Sequence, residues 1–101
     1  MQLVRTITEI RAAVADLRRA GRTIGLVPTM GALHAGHVSL VEASRRDGHA
    51  TVVTIFVNPT QFGPHEDFQK YPRTLEADLD RLRPHDVSLV FSPETSDMYP
   101  P

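Results

Sequence analysis

The sequence predicts an α/β fold built on three parallel strands with flanking helices. Three observations carry that expectation. Helix-like and strand-like segments alternate in the order α-β-α-β-α-β. The middle strand segment, Thr51–Val57, is β-branched or apolar throughout, as a strand buried on both faces requires. The chain has 101 residues, 41% of them hydrophobic, which suits one globular domain. Strands alternating with helices imply right-handed βαβ crossovers. Three such strands make half of a Rossmann-type doubly wound parallel sheet.

Each element has a local reason. Thr6 and Glu9 fit a capping box, and Ile7, Ile10, Val14 and Leu17 recur at helical spacing, which predicts a helix over Ile7–Ala20 with Gly21 as its stop. Thr23–Val27 reads as a strand that Pro28 ends, because proline cannot donate to a ladder. Thr29–Gly36 reads as a loop with glycines at 31 and 36. His37–Asp47 reads as a helix with Val38, Leu40, Val41 and Ala43 inward and Gly48 as its stop. Asn58-Pro59 breaks the middle strand, and prolines at 59, 64 and 72 mark a polar loop over 58–72. Thr74 is placed to cap a helix over roughly 75–83, with Leu75, Leu79 and Leu82 on one face and Pro84 ending it. Val87–Phe91 is the third strand. The ending, Ser92–Pro101, resembles a chain cut in a loop, and a three-strand half would leave an open sheet edge.

Composition excludes several classes. Eleven basic against twelve acidic residues give a net charge of −1, with no basic stripe of the kind that binds nucleic acid. No apolar stretch approaches the ~20 residues of a membrane span. No signal-peptide pattern opens the chain, so the cytoplasm is the expected location. The absence of cysteine removes disulfide scaffolds and thiol catalysis.

The strongest chemical signal is Gly31-Ala32-Leu33-His34-Ala35-Gly36-His37, between a strand and the start of a helix. Open parallel sheets bind ligands beyond the carboxyl ends of their strands. A helix N-terminus there offers unpaired N–H groups to phosphate, and two imidazoles three residues apart can donate to phosphate oxygens. Taken alone, His-x-x-His is a weak signal that chance often produces. Zinc needs three or four ligands, and neither cysteine nor a His-Glu-x-x-His spacing is present. The combination of strand, Pro-Thr-Met-Gly turn, His-x-Gly-His and helix favours a nucleotide.

His-x-Gly-His after a strand resembles the signature of the nucleotidyltransferase superfamily. The match narrows with Pro28 through His37, with Ile55-Phe-Val-Asn-Pro-Thr-Gln-Phe62, and with Tyr71-Pro-Arg-Thr74. Together these motifs resemble the pantoate–β-alanine ligases across essentially all 101 residues. One departure is Thr60, where the family usually has Met. The resemblance implies a nucleotidyltransferase-like fold, with residues 1–101 as the N-terminal part of an ATP- and pantoate-binding domain. It implies ATP-dependent condensation of pantoate with β-alanine through a pantoyl adenylate, with Mg²⁺ accompanying ATP.

Residue by residue, the resemblance makes Met30, Gly31, Ala32, Leu33, His34, Ala35, Gly36 and His37 the ATP-binding segment. His34 and His37 would be the catalytic pair, with His37 the residue usually assigned as proton donor. Gln61 would bind pantoate near where β-alanine enters, Phe62 would pack on the gem-dimethyl group, and Pro28, Thr29 and Asn58 would frame the pocket. Asp78 is a candidate water-mediated contact to Mg²⁺, with no direct metal ligand expected. Tyr71 and Arg73 read more readily as loop packing and a solvated charge than as site residues. Homodimers are common in the resembled family, and neither nucleic-acid nor membrane partners are expected. The family's lysine–aspartate segment and serine-rich loop, which grip the triphosphate, are absent here, so these 101 residues alone are expected to be inactive. Two other readings are another small-molecule adenylyltransferase and a catalytically incomplete nucleotide-binding module.

Overall fold

The computed structural model describes residues 1–57 and 74–99. Among them lie β1 (Gln2–Val4), α1 (Ile7–Arg19), β2 (Ile24–Thr29), α2 (Ala35–Arg46), β3 (Ala50–Ile55), α3 (Leu75–Leu82), a 3₁₀ turn at Arg83–His85, β4 (Leu89–Phe91) and α4 (Thr95–Met98). The strands form one parallel sheet in the order β1-β4-β3-β2. No helix among the described residues is long and apolar enough to cross a membrane.

The sheet has one strand more than the three expected. Gln2-Leu3-Val4 is too short to show a period, and its pairing partner, Leu89–Phe91, lies at the other end of the chain. The direction of travel explains the layers. From β2 to β3 to β4 the chain moves one way across the sheet, and α2 and α3 cover one face. From β1 to β2 it returns to the far edge. The same right-handed crossover then puts α1 on the opposite face. There Ala13 and Leu17 lie beside Gln2, Ser88 and Leu89.

The core is the α2/α3 side. Val27, Val53 and Val90 point from three neighbouring strands toward Val41 of α2 and Leu79 and Leu82 of α3, and Leu33, Ile55 and Val87 complete the cluster. Val41, Val53, Leu82 and Val90 are fully buried. Gly25 leaves room for α2 against the sheet: a Cβ there would stand 2.0 Å from Ser44 Oγ.

Pro28 does not end its strand. β2 runs on to Thr29, with Pro28 opposite Thr54. The carbonyls of Thr23 and Thr29 accept from Ala50 and Phe56 of the β3 side, so alternation turns Pro28 toward the open edge, where its missing N–H costs no ladder bond. The third expected helix is confirmed, but Thr74 makes no side-chain cap. Its hydroxyl donates instead to Asp78 Oδ2 at 3.4 Å. The first helix starts as expected, with Glu9 N–H donating to Thr6 Oγ1 at 3.1 Å. Gly21 and Gly48 both close Schellman motifs, with the 6→1 bonds Arg22 N–H to Leu17 O and His49 N–H to Ser44 O.

Candidate active site

The carboxyl ends of all four strands open on one crevice. Arg5 follows β1, Met30 and Gly31 follow β2, Ile55–Val57 end β3, and Ser92–Thr95 follow β4; Thr74, Leu75 and Asp78 close it from α3. Its volume is about 200 Å³. This is where an open α/β sheet places its ligand. Arg5 at the rim is paired with Glu94 at 3.2 Å.

The turn from β2 to α2 is held from two sides. Thr29 Oγ1 donates to the Thr54 carbonyl at 2.8 Å and accepts from Gly31 N–H at 3.1 Å. Gly31 (φ +85°) and Ala32 (φ +51°) are both left-handed. For alanine this conformation costs roughly 1–2 kcal/mol, so something must hold it there. Asp78 Oδ2 accepts from Ala32 N–H at 3.1 Å and Oδ1 from Leu33 N–H at 2.9 Å. Asp78 is only 3% exposed. Sequence reasoning singled it out as a candidate magnesium contact and missed this role, because the partners lie more than forty positions apart.

The two histidines are built into the start of α2, two residues earlier than the periodicity predicts. His34 is the N-cap, and its Nδ1 accepts from Gly36 N–H at 3.0 Å. His37 Nδ1 accepts from His34 N–H at 3.1 Å. The rings stack obliquely with centroids 4.1 Å apart. With both Nδ1 atoms accepting, this bonding assigns the proton of each neutral ring to Nε2. Each ring can therefore present an Nε2–H donor, suited to an anionic oxygen. The same geometry explains the glycine between them. A Cβ on Gly36 would stand 2.8 Å from His34 Cε1.

Desolvation is the main influence that lowers the pKa of His37 below its ordinary 6.5; His34 also lowers it, and Asp78 opposes. A depressed histidine contributes stability that is complete above pH 6.5 and lost as pH falls through its folded-state value. His37→Asn is therefore expected to be more destabilising, relative to the unchanged chain, at about pH 7.5 than at about pH 5. Urea midpoints at the two pH values measure it. Gly36→Ala should displace the His34 ring and abolish its bond to the residue 36 amide, read as a shift of that amide's resonance with the sheet resonances unmoved.

A family model described as pantoate-beta-alanine ligase matches residues 2–101. The chain belongs to the pantoate–β-alanine ligase family. It is 57% identical over 100 residues to the pantothenate synthetases of Koribacter versatilis and Brucella anthropi, covering 99% of this chain but 34% and 35% of those proteins. Among solved structures, the ligase of Francisella tularensis complexed with beta-gamma ATP and beta-alanine superposes with a TM-score of 0.90 at 40% identity, over 99% of this chain and 38% of that one. The Thermus thermophilus enzyme superposes with a TM-score of 0.81 at 48% identity, over 99% of this chain and 34% of that one. The chain thus spans about a third of the length of the curated relatives it matches.

Among the residues that the ligase resemblance singles out, Met30, Gly31 and Asp78 line the crevice. His34 and His37 stand beside it at the α2 N-terminus rather than among its lining residues. Leu33 is buried in the core and its N–H is given to Asp78. The Thr29 hydroxyl is committed to the turn, and Pro28 sits on the open sheet edge. Asn58, Gln61, Phe62, Tyr71 and Arg73, with the 58–72 loop, lie outside the described residues. Among the described residues, no three His, Asp or Glu side chains gather as metal ligands.

Proposed function

We propose that this chain is the part of a pantoate–β-alanine ligase that holds ATP and faces pantoate. The observation that carries this reading is the pair of imidazoles at the α2 N-terminus. Their Nδ1 atoms are tied to backbone N–H groups and their Nε2–H groups are left to donate, beside a crevice at the strand ends. Met30 through His37 form the ATP segment. Pro28, Thr29, Asn58, Gln61 and Phe62 bind or frame pantoate and the entry of β-alanine.

The reaction has two steps. A pantoate carboxylate oxygen attacks the α-phosphorus of ATP; an O–P bond forms and pyrophosphate leaves with the electrons of the broken bond. The β-alanine amine, as the free base, then attacks the acyl carbon; a C–N bond forms, the proton passes to water, and AMP leaves with the electrons of the broken C–O bond. No covalent bond to the protein forms, so the chain contributes position and charge. His34 and His37 donate hydrogen bonds through Nε2–H to phosphate oxygens, where negative charge develops; for His37 this is a hydrogen bond and not a proton transfer, because its lowered pKa keeps the ring neutral.

Mg²⁺ would arrive with the triphosphate, neutralising phosphate charge and keeping several waters. Asp78 is almost fully buried and already accepts from Ala32 and Leu33, so its contact to the ion would run through water. The full family protein is read as a cytoplasmic homodimer without nucleic-acid or membrane partners.

These 101 residues alone should not turn over, because losing the groups that stabilise leaving pyrophosphate removes several kcal/mol of transition-state binding. The test supplies the remaining two-thirds from a relative in trans, with Mg·ATP, β-alanine, and either pantoate or phosphopantetheine. Pantothenate, AMP and pyrophosphate are expected with pantoate only. Pyrophosphate release with phosphopantetheine would favour another adenylyltransferase, and an assembled pair inert toward both substrates would contradict the reading.

A further inference from the structure

We propose that Asp78 is a positioning residue for the phosphate-facing turn, its buried carboxylate clamping Ala32 and Leu33 so that His34 and His37 are presented in register. The inference rests on the ATP-binding reading given above. It adds a role for a side chain that need not touch the nucleotide.

Three observations converge on it. Asp78 lies in the first turn of α3, almost fully buried, and both its oxygens accept from consecutive amides of the β2–α2 turn. Those amides belong to no helix or sheet ladder, and Ala32 holds a left-handed conformation that an alanine rarely adopts. Leu33 is anchored in the core next to the His34 cap, so the clamp and the cap are joined by one peptide bond. There is also no room for slack. A Cβ on Gly31 would stand 3.2 Å from Asp78 Oδ2 and 3.3 Å from Ile55 Cγ2.

The chemistry of the clamp requires two acceptors side by side. An asparagine offers one. Its NH₂ would face an N–H donor and leave a buried amide unpaired. The turn would then relax, and the two imidazoles would lose their fixed placement at the start of α2. The charged and titratable groups that influence His37 are His34 and Asp78, and Asp78 is the one that favours its protonated form.

The first arm uses the unaltered 101-residue chain and amide hydrogen exchange. Ala32 and Leu33 amides should be protected to a degree comparable with Val53 and Val90 of the sheet. Fast exchange at both would overturn the clamp outright. The second arm compares Asp78→Asn. Protection at Leu33 should fall by at least about tenfold while the sheet amides keep theirs. The His37 imidazole should titrate at lower pH than in the unaltered chain. Unchanged protection and unchanged titration would overturn the proposal. Should Asp78→Asn fail to fold, Gly31→Ala takes its place, since it disturbs the clamp with the carboxylate still present. Loss of Leu33 protection is again expected, and full retention overturns.

Calorimetric titration with Mg·ATP separates this proposal from the functional one. If the unaltered chain binds and Asp78→Asn binds at least about tenfold more weakly both with Mg²⁺ and with EDTA in its place, positioning for phosphate is supported; equal affinity, or a loss seen only with Mg²⁺, overturns it. If the unaltered chain binds no Mg·ATP, the ATP reading fails, and exchange and imidazole titration alone decide the clamp.

Discussion

Replacing Leu82 by alanine is expected to lower the unfolding free energy by about 2–5 kcal/mol. Leu82 is 0% exposed and is the largest of the fully buried side chains among the described residues. It stands at the end of α3, between the sheet valines and Val41 of α2. Truncation removes its apolar surface from the core and leaves a cavity that rigid strands on one side cannot fill. A domain of this size has only about 5–15 kcal/mol in total, so the loss is a large share of it. The midpoint of thermal unfolding should fall by roughly 4–8 °C for each kcal/mol. Urea unfolding with an unchanged slope measures the change directly. A loss below about 1 kcal/mol would mean that α3 is not seated on the sheet as described.

The second large effect concerns the imidazoles. His34→Ala with His37→Ala should weaken Mg·ATP binding by at least about tenfold, because each lost charge-assisted bond is worth roughly 1.5–3 kcal/mol. The double change also removes the α2 cap, worth about 0.5–2 kcal/mol of stability. His34→Asn separates the two contributions. Asparagine is a strong N-cap but lacks an Nε2–H donor at the imidazole's reach. It should preserve the unfolding midpoint and still lose affinity. Affinity retained by His34→Asn and by the double variant would remove the histidines from phosphate binding.

What was legible in the sequence was local. The α1 cap and its Schellman stop rest on Thr6, Glu9 and Gly21, all within a few residues of the bonds they make. The strand–turn–helix arrangement around His-x-Gly-His was legible because its parts adjoin in the chain. Long-range pairing was not legible. β1 is a strand only because β4 lies beside it, and Pro28 stays in β2 only because that strand is at the edge. His34 was not read as a cap, since histidine is not among the preferred N-cap residues. Thr74 looked like a cap, but its hydroxyl is turned to Asp78, whose carboxylate is occupied with a turn far away in sequence. Asn58, Gln61 and Phe62, expected on the pantoate side, lie outside the described residues.

The central claim is that ATP is held by the turn between β2 and α2. The most direct measurement is a nuclear magnetic resonance titration of the labelled 101-residue chain with Mg·ATP, following backbone amides and the histidine rings. Saturable shifts are expected, concentrated at Gly31–Val38 and at the His34 and His37 imidazoles, with α1 and the β1 edge unmoved. Shifts centred elsewhere, or an unperturbed His34–His37 pair at saturating nucleotide, would contradict it.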